Sequence, residues 1–196
     1  MASPVAENIP DRLMNDVWEV MHLVATMDLT SSTSRSRNDF QFECDGDEDL
    51  DSERKKMAET LVKMGDSMAE RYNKQSDEDI LVQEISDYLG KKADEINSLL
   101  GPGFTKFDPR NVIYKTPVWG SIYGAFKSKL EQFLGFDDIS DQTQIALVSS
   151  VTKGVAKSFQ ESSSQSVNLV TTLSTYYITE KYGQKLKDFR SLAPLQ

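Results

Sequence analysis

Apolar residues recur at intervals of three and four along most of this chain, and no segment alternates with a period of two. The first such stretch covers residues 11–27, behind the start signal Pro10-Asp11. This spacing places apolar side chains on one face of a helix. The same pattern predicts further helices over residues 51–73, 76–90, 93–100, 118–136, 141–159 and from 165 into the 180s. The sequence therefore predicts an all-α bundle of seven or eight helices.

Length and interruptions of the pattern predict how the chain is divided. A chain of 196 residues suits one domain with a sizeable core. We assign residues 11–192 to that domain, with a disordered N-terminus over 1–10 and a tail over 193–196. Residues 28–50 lose the helical period, become Ser/Thr-rich and then acidic, and are predicted to form a long mobile loop.

The acidity of the chain belongs to that loop and its exit. The net charge is -9, and seven of the 31 acids fall within residues 43–53. The rest of the chain carries 24 acids against 22 bases, so it is almost neutral. No basic stripe is available to displace counterions from phosphates, which disfavours nucleic-acid binding.

Residues that support metal or covalent chemistry are scarce. Cys44 is the only cysteine and His22 the only histidine, which excludes an internal disulfide framework and makes a zinc site of the usual ligands improbable. No cofactor motif and no enzyme signature is present. No uninterrupted apolar run of membrane-spanning length occurs, and we expect a cytoplasmic protein.

One predicted helix contains an unfavourable pair of residues at its centre. In "LVKMGDSM", residues 61–68, Gly65 costs about 1 kcal/mol relative to alanine and Asp66 adds a charge. Four apolar residues lie at spacings of four, three and four on one face around this pair: Met57, Leu61, Met64 and Met68. A glycine beside such a stripe lets another helix approach the backbone closely.

This combination resembles the third homology motif of the Bcl-2 family of apoptosis regulators, which is Leu-x-x-x-Gly-Asp with flanking apolar anchors. "VWGSIYGAFKSKL", residues 118–130, resembles the first homology motif through Trp119 and Gly120. "YITEKYGQKLKDF", residues 177–189, resembles the second motif without its usual tryptophans. The three segments occur in family order, and the resemblance covers most of the chain from residue 11 onward.

The resemblance implies a Bcl-2-like helical bundle around a central apolar hairpin formed by residues 118–136 and 141–159. It also implies a regulator of apoptosis that inserts its third-motif helix, about residues 54–72, into the hydrophobic groove of other Bcl-2 family proteins. Those partners act at the mitochondrial outer membrane, where this protein would be found conditionally. Met57, Leu61, Met64 and Met68 would be the anchors, with Gly65 at the closest approach and Asp66 setting the register.

One departure from the family pattern bears on the direction of the effect. Groove receptors of the family carry Asn-Trp-Gly-Arg, but Ser121 stands at the arginine position here. Serine cannot supply a permanently charged, bidentate fork. This favours a pro-apoptotic donor of the motif over an anti-apoptotic groove receptor. A helical adaptor or scaffold without an apoptotic role is the alternative from another class.

The acidic loop and the hairpin each suggest a further property. Asp45 and Asp51 are each followed by a small residue, so aspartate-specific cell-death proteases could cut after them if the segment is extended and exposed. The alternative is a linker kept extended by its own charges. The hairpin is the family's membrane-insertion element, but its charged and hydroxyl residues predict poor spontaneous insertion, with contact to the mitochondrial membrane remaining peripheral.

Overall fold

A computed structural model describes residues 9–31, 48–101, 107–135, 138–159 and 164–194. Within these ranges there are seven α-helices and no strand, which confirms the prediction of an all-α protein. The helices are α1 (Asp11–Ser31), α2 (Glu48–Arg71), α3 (Gln75–Lys91), α4 (Ala93–Leu100), α5 (Pro117–Leu134), α6 (Asp141–Ser158) and α7 (Ser164–Tyr182). Short 3₁₀ turns at Val112–Lys115 and Phe189–Ser191 complete the described structure.

Helix α6 lies at the centre of the bundle, packed against α1, α2, α3 and α7. It is buried on nearly all sides. Its sequence includes serine and threonine, which can be buried because their hydroxyl groups form hydrogen bonds inside the protein. Ser149 donates to the carbonyl of Ile145 at 2.9 Å, and Thr152 donates to that of Val148 at 2.7 Å. A helix whose polar groups are satisfied in this way can be enclosed at little desolvation cost.

The expected central hairpin is not formed. Helix α5 packs mainly against α3 and the Val112–Lys115 turn and makes little contact with α6. Its sequence explains the difference, since α5 buries only one face, while Lys127 and Lys129 pair with Glu180 and Glu84 at 3.1 and 3.0 Å. A single helix therefore forms the centre of the fold, with α5 at the periphery.

Several boundaries differ from the predicted ones. Helix α1 continues to Ser31 and α2 begins at Glu48, so the ends of the predicted loop 28–50 are helical, while residues 32–47 lie outside the described ranges. Helix α3 passes through Gly90, where an added Cβ would meet no other atom.

The predicted termini are also partly packed. Ile9, assigned to a disordered N-terminus, is buried, and its Cδ1 would lie 3.1 Å from a Cβ placed on Gly183. Ala193, assigned to the tail, is buried as well. Residues 1–8, 195 and 196 lie outside the described ranges.

Helices α2 and α3 are joined by residues 72–74. Asn73 has a φ of 54°, in the left-handed region that asparagine tolerates better than most residues. The amide of Lys74 donates to the carbonyl of Ala69 at 2.7 Å, which closes the end of α2. The connection is therefore short and hydrogen-bonded.

No helix within the described ranges is both long enough and apolar enough to cross a membrane.

Candidate functional site: the Gly-Asp helix

The predicted stripe of α2 faces the interior of the bundle. Met57 and Leu61 are buried, at 3% and 0% exposure, and Met64 and Met68 are half-buried against the same core. The spacings of four, three and four therefore produce one continuous apolar face, as a 3.6-residue period requires. In this state Met57 and Leu61 are core residues, and Met64 and Met68 pack against the core.

Gly65 lies where α2 crosses α6. A Cβ built on this residue would overlap the carbonyl oxygen of Ala146 and lie 3.0 Å from the Cβ of Ser150. The two helix backbones can approach this closely only because residue 65 has no side chain. The cost of a glycine inside a helix is thus offset by a contact with α6 that no other residue permits.

Asp66 is exposed beside that crossing, at the junction of α2, α3 and α6. The hydroxyl of Ser150 on α6 lies 3.4 Å from Asp66 Oδ1 and 2.6 Å from Glu78 Oε1 on α3. A serine carries one hydroxyl proton, so the shorter contact to Glu78 is the effective hydrogen bond. Asp66 is left without a strong partner from α6.

Glu78 is the residue of this junction whose negative charge is least favoured. Burial raises the pKa of its carboxyl group, the hydrogen bond from Ser150 opposes that rise, and the charges of Asp66 and Asp79 add to it. Its second oxygen, Oε2, is buried without a hydrogen-bond partner among the described residues. Two carboxylates thus meet at one hydroxyl donor.

The N-terminal half of α2 is held by charged residues. Arg54 donates to Asp16 of α1 at 2.8 Å, and its guanidinium lies 5.8 Å from the ring centroid of Phe189. Arg190 of the C-terminal segment donates to Glu53 at 2.6 Å. These pairs attach the start of α2, just before Met57, to α1 and to the Phe189–Ser191 turn.

Trp119 and Gly120 lie elsewhere, at the N-terminus of α5. The side chain of Thr116 caps the helix by accepting from the Trp119 amide at 3.3 Å. Trp119 is buried with its ring 4.9 Å from Tyr114 and 5.6 Å from Tyr176, while Gly120 is exposed. Both line a cleft of about 790 Å³ whose walls include no residue of α2. The structure therefore does not bring the two motif-like segments into one site.

The two predicted cleavage positions have different outcomes. Asp45 lies outside the described ranges. Asp51 is exposed but belongs to α2, where it accepts from Arg54 at 3.2 Å. A protease that binds an extended chain would first have to unwind this turn, so the helix differs from the extended conformation that the cleavage hypothesis requires at Asp51.

Sequence reasoning missed the partners of the motif and the aromatic cleft. Glu78 and Ser150 are 72 residues apart, and no periodic pattern connects them. The density of aromatic residues between 104 and 123 was an available signal for the cleft. One further aromatic residue of the cleft, Tyr176, comes from α7 and could not be assigned from that segment.

Comparisons with protein families, with curated proteins and with solved structures give no match for this chain. The resemblance to the Bcl-2 family therefore depends on the motif-like segments themselves, above all on residues 61–68.

Proposed function

We propose that this protein is a pro-apoptotic regulator of the Bcl-2 type, which donates α2 to the hydrophobic groove of other Bcl-2 family proteins at the mitochondrial outer membrane. The observation that supports this proposal is the way α2 packs against α6. A helix that binds in a groove needs three features, and α2 has all of them. They are a glycine where the backbones approach closely (Gly65), an apolar stripe on the packed face, and an exposed charge beside it (Asp66).

In this proposal the resting bundle and the partner's groove compete for the same face of α2. The apolar core of the bundle now covers Met57 and Leu61, and α6 leaves room for a backbone approach at Gly65. A groove would supply both, and an arginine at its rim would give Asp66 the charged partner that Ser150 does not provide. Release of α2 exchanges one set of contacts for the other.

The test uses the isolated 52–73 peptide and a panel of groove-bearing Bcl-2 family proteins. Leu61→Ala removes a buried anchor and Asp66→Ala removes the rim charge. Each should weaken binding by about 2 kcal/mol, or roughly thirty-fold, as truncation of a hot-spot residue does. Lys63→Ala is the matched control, since Lys63 is exposed and lies outside the apolar stripe. Calorimetric titration measures all four peptides.

The same panel separates this proposal from its rivals. A groove receptor predicts that the whole protein captures an external third-motif peptide while its own 52–73 peptide binds weakly. An adaptor without apoptotic role predicts that neither peptide binds. If neither substitution changed the affinity of the 52–73 peptide, the role assigned to α2 would be contradicted.

A further inference from the structure

The cleft at the N-terminus of α5 has the size and the walls of a small-molecule site. Its volume of about 790 Å³ lies within the range of drug-sized ligand pockets. It is bounded by α1, the 109–117 segment, α5 and α7, and its apolar walls are Ile9, Met14, Tyr114, Trp119, Tyr123 and Tyr176.

The aromatic walls are fixed in place. The ring centroids of Tyr123 and Tyr176 lie 6.1 Å apart with the ring planes at 62°, and the ring of Trp119 lies 5.6 Å from that of Tyr176. The hydroxyl of Tyr123 donates to Glu180, and that of Tyr176 lies 3.4 Å from the carbonyl oxygen of Pro109. Burial raises the pKa of both phenols, so the walls stay uncharged at physiological pH. The cleft therefore presents preformed, neutral aromatic surface.

The main charges around the cleft neutralise one another. Glu180 pairs with Lys127 at 3.1 Å, and Arg110 at the rim lies 3.3 Å from Asp108 and 3.7 Å from Asp11. Lys115 at the mouth adds a cation at the surface. With its acids already paired, the cleft offers little to a cationic ligand.

The helix terminus beside the cleft also has little to offer an anion. Pro117 has no amide proton, the Trp119 amide is capped by Thr116, and the Gly120 amide donates to the Thr116 carbonyl at 3.1 Å. Apart from the Val118 amide, the usual anion-binding donors of this first helical turn are therefore occupied or missing. The exposed side chains of Val112 and Val118, in the flanking elements, are apolar and add no donor for an anion.

From this geometry we infer that the cleft binds an uncharged, planar aromatic molecule, which stacks on the ring of Tyr123 or Tyr176 and meets the other ring edge-on. Gly120 keeps the site open: it lines the cleft, and a Cβ placed there meets no atom within 4 Å. A large side chain at this position would occupy the ligand's space without disturbing the fold. The inference does not depend on the proposed function of α2.

The test uses prodan, an uncharged naphthyl ketone whose emission shifts to the blue in apolar surroundings, with the full chain. We expect saturable, one-to-one binding. Gly120→Leu should weaken it about ten-fold or more, the effect of filling occupied volume. Gly124→Leu is the matched control, because Gly124 is exposed on the same helix, has equal free space, and does not line the cleft. It should bind prodan as the parent chain does.

Three results would overturn the inference: no saturable binding, equal affinities in the two leucine variants, or tighter binding of the anionic dye anilinonaphthalene sulfonate than of prodan. Amide chemical shifts of the parent chain provide a second measurement that needs no variant. Prodan should move the resonances of Gly120 and Asn111 and leave that of Gly65 in place, and the reverse pattern would locate the dye elsewhere.

Discussion

At Gly65 the backbones of α2 and α6 approach so closely that a methyl group has no room. We expect Gly65→Ala to lower the free energy of unfolding by about 1–3 kcal/mol, because overpacking outweighs the gain in helix propensity. Gly124→Ala is the control, since Gly124 is exposed in α5 with open space around it. That substitution should stabilise by up to about 1 kcal/mol. Urea denaturation measures both, and a stabilising Gly65→Ala would show that the helices do not cross there.

Glu78 gives the junction a dependence on pH. Its pKa in the folded chain is raised above the ordinary value of 4.5, mainly by burial, so its ionised form is disfavoured by folding. The resulting loss of stability is absent below pH 4.5 and grows as the pH rises through the folded pKa.

Glu78→Gln should remove this loss. The amide can still accept from Ser150 and can donate to Asp66, so we expect a gain of up to about 1 kcal/mol at pH 7, typical of one hydrogen bond, that disappears near pH 4. Thermal melts across this range measure the difference. Glu70→Gln, at an exposed position of α2, should show no such trend. A variant less stable than the parent at neutral pH would contradict the assignment.

At the scale of the element, α2 is held differently along its length. Its N-terminal half is attached by ion pairs, of which Arg54–Asp16 is the more enclosed, with 22% and 18% of the side chains exposed. Its middle is attached by apolar contacts and the Gly65 crossing. The two halves can therefore be weakened separately.

Asp16→Asn should loosen only the N-terminal half. Losing a partly exposed ion pair costs about 1 kcal/mol, so amide hydrogen exchange over residues 52–58 should accelerate about five-fold while residues 66–71 change little. Asp77→Asn, which breaks an exposed pair with Lys74, is the control and should leave 52–58 unchanged. Uniform acceleration along α2 would instead mean that the helix opens as one unit.

At the scale of the whole molecule, the sequence was sufficient for the helices and insufficient for their arrangement. The spacing of Trp119, Ile122 and Phe126 marks α5 as a helix, and these residues are buried as expected. The centre of the fold could not be deduced in the same way. Ser149 and Thr152 look like interruptions of an apolar face, yet both are fully buried because their hydroxyls bond to the preceding turn.

The candidate site was predictable to a similar extent. Gly65 beside the apolar stripe indicated a close helix crossing, and the structure contains one. Its partner, Ala146, could not be identified, because the identity of the facing helix depends on the tertiary arrangement. The same limit applies to Glu78, whose environment is created by α2 and α6 together.

The short connection at residues 72–74 has a mechanical consequence for α2. A helix of 24 residues is about 36 Å long, and this one is fixed at its C-terminal end by the turn at Asn73. If α2 leaves α6, it moves as a lever with its pivot at Asn73, so its N-terminal end travels furthest. Met57 and Leu61 then move further from the core than Met68, which is already partly exposed, and a partner would engage the helix from its N-terminal end toward Asn73.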